Sequence, residues 1–146
     1  MVASSVSCLM PSRMGALVAA KRILIVEDDF LIAQSFARLM ADRGFTVIGP
    51  AATADDALRQ IERENPDCVL LDVGLREGSA AAVAQALRKR GVPFVVVTAY
   101  SRDSLPAELQ QAPYLPKPMR DADLIEALVR VCGENGPASA STVDRA

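Results

Sequence analysis

The chain has 146 residues, 51% of them apolar, enough to bury one core and too few for two. Its formal net charge of −2 and its lack of Trp give no basic or base-stacking surface for nucleic acid, and the absence of His excludes imidazole metal sites, Ser-His-Asp catalysis and phosphohistidine chemistry within the chain. Three cysteines, Cys8, Cys68 and Cys132, form no spacing motif and point to a reducing, cytoplasmic setting.

Residues 1–20 lack a sustained apolar stretch after a basic start and read as a flexible leader, with Met14 as an alternative start. No run approaches the ~20 apolar residues of a membrane span. Residues 22–27 form a continuous apolar run, a first strand ending in Glu27. A helical pattern follows, with Ile32, Phe36, Leu39 and Met40 on one face and Gly44 as its stop. Residues 45–49 give a weaker second strand. Thr53 is the expected N-cap of a second helix, with Asp55 and Asp56 in its first turn, Leu58 and Ile61 facing inward and Pro66 blocking continuation.

Residues 67–72 form a third strand, with Cys68 as a small core residue and Asp72 at the end. In the third helix Val83 and Leu87 share a face, Arg88, Lys89 and Arg90 suit its negative end, and Gly91 stops it. Residues 93–98 form a fourth strand ending in Thr98. The segment 101–111 is poorly periodic and contains Pro106, which predicts a short or mobile helix. Residues 114–117 form a fifth strand, which Pro116 confines to a sheet edge. A last helix is capped by Asp121, carries Leu124, Leu128 and Val131 on one face and closes at Gly133. Residues 134–146 are small and polar and read as a disordered tail.

A β-α unit repeated five times predicts a parallel sheet with helices on both faces and right-handed crossovers. Strands one, three and four are continuous rather than alternating, which fits burial on both sides. In such sheets ligands bind beyond the carboxyl ends of the strands. Glu27-Asp28, Asp72, Thr98 and Lys117 all fall at such ends. Three converging carboxylates repel one another and call for a divalent cation or a shared proton. A hydroxyl and an ammonium at the same rim complete a set suited to metal-assisted phosphoryl acceptance.

The runs Ile-Leu-Ile-Val-Glu27-Asp28-Asp29, Val-Leu-Leu-Asp72, Val-Val-Val-Thr98-Ala99 and Tyr114-Leu-Pro-Lys117-Pro118, in that order, resemble the receiver domain of bacterial two-component response regulators over residues 21–133. The resemblance implies a flavodoxin-like, doubly wound, five-stranded parallel sheet in the order 2-1-3-4-5, a three-layer α/β sandwich. It implies that Asp72 is the phosphoryl acceptor. Asp28 would bind Mg²⁺ directly and Glu27 through water, with Asp72 and the backbone carbonyl of Gly74 completing the set; Mn²⁺ is also compatible. Lys117 would pair with a phosphoryl oxygen, before a cis peptide to Pro118. Thr98 would hydrogen-bond the phosphoryl group, small Ala99 would leave it room, and Tyr114 would be the switch aromatic. The donor would be a sensor histidine kinase or a histidine phosphotransfer protein. The output would be protein contact through the fourth helical segment, the fifth strand and the last helix, or service as a phosphate sink. Neither nucleic acid nor membrane is an expected partner, and enzymatic capacity would be limited to self-phosphorylation and slow autodephosphorylation.

Each assignment has a plainer counterpart. Asp72 could cap its loop, Glu27-Asp28 could cap the first helix, Lys117 could be an exposed strand-end cation and Tyr114 an ordinary edge aromatic. Asp29 belongs to the helix cap. The loop after Asp72 lacks the Pro usual in receivers. Tyr100 could gate the acceptor, contact a partner or pack on its loop. The short tail is too small for a DNA-binding module, which points to a stand-alone regulator. One rival is a phosphorylation-independent pseudo-receiver. Another is a haloacid dehalogenase-type phosphatase, which needs a second Asp where this chain has Gly74.

Overall fold

The computed structural model describes residues 21–75 and 78–133; the expected leader, the expected tail and Cys8 lie outside the described residues. Five parallel strands form one sheet in the order β2-β1-β3-β4-β5. They are β1 (Arg22–Val26), β2 (Thr46–Ala51), β3 (Cys68–Asp72), β4 (Phe94–Thr98) and β5 (Tyr114–Pro116). Four α-helices accompany them: α1 (Phe30–Asp42), α2 (Ala54–Glu64), α3 (Ala80–Arg90) and α4 (Asp121–Leu128). This is the doubly wound, flavodoxin-like sheet order that the resemblance implied, with Pro116 on an edge strand as its missing N–H requires.

Strand alternation divides the core into two halves. Leu24, Val26, Val69, Leu71 and Val96 face one way, against Ala57 and Ile61 of α2 and Val83 and Leu87 of α3. Ile23, Ile25, Leu70, Val95 and Val97 face the other, against Met40 of α1 and Leu124 and Leu128 of α4. Every residue of β3 and β4 is buried, which explains their unbroken apolar runs. Each fully buried Leu or Ile contributes roughly 1.5–3 kcal/mol. Cys68 and Cys132 are both buried in the second half, and the hydrogen bond with Cys132, together with burial, pushes the Cys68 thiol up, far from reactive thiolate.

Helix ends follow local chemistry. Asp29 accepts from the Ile32 N–H and Thr53 from the Asp56 N–H, as predicted. Ser79 caps α3 by accepting from the N–H groups of Ala81 and Ala82, and Gly91 ends it at φ 71°. Four expectations are corrected. The segment 101–111 forms no α-helix but two short 3₁₀ turns, Arg102–Ser104 and Ala107–Leu109, because Pro106 removes a donor between them while buried Leu105 and Leu109 pin the chain to the core. Asp121 is the first helical residue of α4 rather than its cap; Arg120 holds the cap position without a side-chain bond, and the helix runs on as a π-type turn, Val129–Gly133. The inward face of α2 is built on Ala54, Ala57 and Ile61, with Leu58 only half-buried. Finally, β2 extends past Gly49 through a cis peptide to Pro50, because Ala51 pairs with Val26 and its carbonyl accepts the Glu27 N–H at 3.0 Å.

Gly78 locks the loop after β3 onto α2. Its φ is +90°, and a Cβ there would lie 2.4 Å from the Ala54 Cβ. Gly78→Ala therefore combines an unfavourable backbone conformation with overpacking, and should cost roughly 2–4 kcal/mol of stability. The midpoint of a urea unfolding curve measures it; an unchanged midpoint contradicts this packing.

Candidate functional site

Strand ends converge at one rim of the sheet. Among the described residues the buried polar or charged side chains are Glu27, Asp72 and Thr98, each in or just past a strand end. Buried charges need partners, so their concentration in one place marks a built site rather than a solvated surface.

Glu27 is 3% exposed. Its Oε1 accepts from Lys117 Nζ at 3.0 Å, and its Oε2 accepts from the Asp29 N–H at 3.2 Å. Asp72, at the end of β3, has Oδ1 3.4 Å from Lys117 Nζ, and the Gly74 N–H donates to that same oxygen at 3.3 Å. Glu27, Asp28 and Asp72 each offer a carboxylate oxygen, all within 4.8 Å of one another. Asp28 is half-buried beside them.

Two of the three carboxylates, Glu27 and Asp72, pair with the Lys117 ammonium. Burial pushes the Glu27 carboxyl up, the Lys117 hydrogen bond opposes that, and the neighbouring Asp72 charge adds to the rise. Burial acts to lower the Lys117 pKa, but its hydrogen bond to Glu27 and the charges of Asp72 and Glu27 outweigh it, so the ammonium is held above its usual range. Three clustered carboxylates offer the hard oxygens that Mg²⁺ prefers, so the donors fit that ion. Gly74 is exposed at the site mouth, and a Cβ there would sit 3.9 Å from Asp72 Oδ2 and 4.0 Å from the Tyr100 ring.

Thr98 and Tyr114 lie on the adjoining strands β4 and β5. Thr98 is fully buried, and its Oγ1 accepts the Tyr100 N–H at 2.9 Å. The Thr98 carbonyl accepts the Lys117 N–H at 2.7 Å, which fixes the end of β5 beside β4. The Lys117–Pro118 peptide is cis, as the resemblance implied. Ala99 is exposed and lines a cavity of about 510 Å³ with Lys117, Pro118 and Met119, walled by Ile32 and Phe36 of α1. Tyr114 is half-buried and donates its hydroxyl to the Tyr100 carbonyl at 3.0 Å.

The structure thus brings Glu27, Asp28, Asp72, Gly74 and Lys117 together at one end of the sheet, and puts Thr98 and Tyr114 in contact with the same residue, Tyr100. Sequence reasoning missed Arg102, whose guanidinium lies 4.5 Å from the centroid of the Tyr114 ring. Its neighbours in sequence carry no period that would have singled it out.

A family model for the response regulator receiver domain matches residues 23–129. The transcriptional regulatory protein PdtaR of Mycobacterium tuberculosis is 34% identical over 112 residues, covering 74% of this chain and 55% of that protein. The phyllosphere-induced regulator PhyR of Methylorubrum extorquens is 35% identical, covering 72% of this chain and 41% of its own length. The chain therefore spans about half the length of the curated relatives it matches. Among solved structures, a CheY-like receiver from Methanospirillum hungatei is 32% identical with a TM-score of 0.64, covering 74% of this chain and 90% of that one. The receiver domain of the Pseudomonas aeruginosa sensor kinase PA1611, with magnesium coordinated in its active-site cleft, is 28% identical with a TM-score of 0.66, covering 77% of this chain and 98% of that one. No helix among the described residues is long and apolar enough to cross a membrane. The sheet order, the acidic rim and the matched segment agree, and the chain belongs to the family of response regulator receiver domains.

Proposed function

We propose that this receiver accepts a phosphoryl group on Asp72 from the phosphohistidine of a sensor kinase or phosphotransfer protein, and signals through protein contact or drains phosphate from its donor. The observation that carries this reading is the trio of carboxylates within 4.8 Å of one another, with Lys117 3.4 Å from the Asp72 oxygen. In transfer, an Asp72 oxygen attacks phosphorus, the histidine N–P bond breaks and an acyl phosphate forms. Asp28, Glu27, Asp72 and the Gly74 carbonyl would hold Mg²⁺, with Mn²⁺ compatible with the same oxygens; the bound ion supplies positive charge against the transferring oxygens.

The chain's own groups do the rest. Lys117 is held protonated and sits where it can pair with a phosphoryl oxygen. Glu27 fixes the ammonium in place. Exposed Ala99 leaves the approach open. The Thr98 hydroxyl now engages the Tyr100 N–H, and turning toward a phosphoryl group means leaving that bond. Tyr114 would then follow inward, changing the face formed by the 3₁₀ turns, β5 and α4, the surface through which a downstream protein would read the state. Buried free thiols at Cys68 and Cys132 accord with a cytoplasmic protein.

Incubation with acetyl phosphate and Mg²⁺ tests the reading. Intact mass should gain one acid-labile phosphoryl group, and peptide mapping should put it on Asp72. A group found elsewhere, or none, refutes the assignment. Steady turnover of small phosphate esters would instead favour a phosphatase.

A further inference from the structure

We propose that Cys68 and Cys132 are a redox pair: a hydroperoxide converts their two thiols to a disulfide that staples the turn Val129–Gly133 to the start of β3. This goes beyond the phosphoacceptor reading and does not depend on it, since Asp72 stands at the opposite end of β3.

Three observations carry it. First, the two cysteines are far apart in sequence, one on β3 and one beyond α4, and the fold buries both in the same half of the core, at 0% and 1% exposure. Second, their thiols are hydrogen-bonded to each other. A disulfide requires two side chains that point at one another, and that contact meets the requirement. Third, the two are held unequally. Cys68 begins β3, a central strand paired with β1 on one side and β4 on the other. Cys132 lies in the π-type turn that follows α4. Such turns at helix ends open at lower cost than central strands.

Closed, the pair is inert, because the mutual bond and burial hold Cys68 far above the thiolate range. Oxidation therefore starts at Cys132, when its turn opens to water. With hydrogen peroxide, the Cys132 sulfur attacks a peroxide oxygen and the O–O bond breaks. The leaving hydroxide takes up the proton that the thiol gave away and departs as water, and a sulfenic acid remains. When the turn closes, the Cys68 sulfur attacks the Cys132 sulfur and the S–O bond breaks. The hydroxyl leaves with the Cys68 proton as a second water. Two thiols are oxidised to one disulfide, and one peroxide is reduced to two waters. Exchange with an external thiol reverses the step. The cross-link joins distant positions, restricts the unfolded chain and so raises stability. It forms at the end of β3 away from the carboxylates and leaves the acidic rim as it is.

The test treats the folded full chain with hydrogen peroxide, blocks the remaining free thiols and maps peptides without reduction. The Cys68 and Cys132 peptides should be joined, with the loss of two hydrogens, and dithiothreitol should separate them. The urea midpoint should rise by roughly 1–2 M on oxidation and fall back on reduction. Cys132→Ser and Cys132→Ala should show no such shift. Each variant is compared with itself before and after peroxide, so stability lost to the substitution does not mask the result, and wild-type mapping decides the matter if neither folds. Brief alkylation of the reduced chain should label Cys132 before Cys68. Thiols that stay free under peroxide, oxidation that runs on to sulfinic acid, a link through Cys8 or an unmoved midpoint overturns the proposal. Labelling of Cys68 first, or at the same rate, overturns it as well. None of these outcomes bears on the acceptor role of Asp72.

Discussion

Asp72→Asn is expected to abolish phosphoryl uptake and leave the fold unchanged. The amide has the shape of the carboxyl group but lacks a charged nucleophilic oxygen, so the bond to phosphorus cannot form at a useful rate. The substitution also removes one of three crowded negative charges, and Lys117 keeps its 3.0 Å bond to Glu27, so the core has no reason to rearrange. Asp72 sits at the end of a strand whose other residues carry the packing, from Cys68 to Leu71. Label transfer from acetyl phosphate should therefore vanish while the urea midpoint stays at or above the wild-type value. Persistent acid-labile label on the variant would move the acceptor to another residue.

Asp28→Ala should weaken Mg²⁺ binding at least as much as the roughly 10–100-fold that outer-shell changes cost at metal sites, since the proposed function makes its carboxylate a direct oxygen donor. Glu27 is engaged by Lys117 and by the Asp29 N–H, and Asp72 shares its Oδ1 with Lys117 and the Gly74 N–H. Asp28 lies within reach of both and is the least buried of the three, so it can meet an ion with the least further desolvation. A metal titration by NMR reads the affinity directly, without any phosphodonor. An affinity equal to wild type would place the ion elsewhere.

Much of this site was legible because its candidate residues stand at or just past strand ends. The apolar runs told where the strands stop, and in such sheets ligands bind beyond those ends. Glu27, Asp72, Thr98 and Lys117 are placed by that rule, Lys117 past an edge strand that is only partly buried. Local chemistry also gave the caps at Asp29 and Thr53 and the stop at Gly91, since those bonds close within a few residues. The segment 101–111 was harder. It has two buried leucines four residues apart, a helical spacing, yet Pro106 between them forces separate turns. The inward face of α2 misled because Leu58 is larger than Ala57, while close packing against the sheet admits only the smaller side chain.

The chain by itself determined what depends on neighbours along it: which segments are strands or helices, where most of them stop, and which polar groups stand at the strand ends. The sheet order came from family resemblance, because hydrophobic period does not say which strands lie side by side. Only the tertiary structure brought Lys117 against Glu27, 90 residues away, and laid Arg102 on Tyr114. Such contacts are decided when helices on the two faces of the sheet settle against it and fix the approach of distant loops. That settling depends on the packing of the whole core, a quantity that no short window of residues contains.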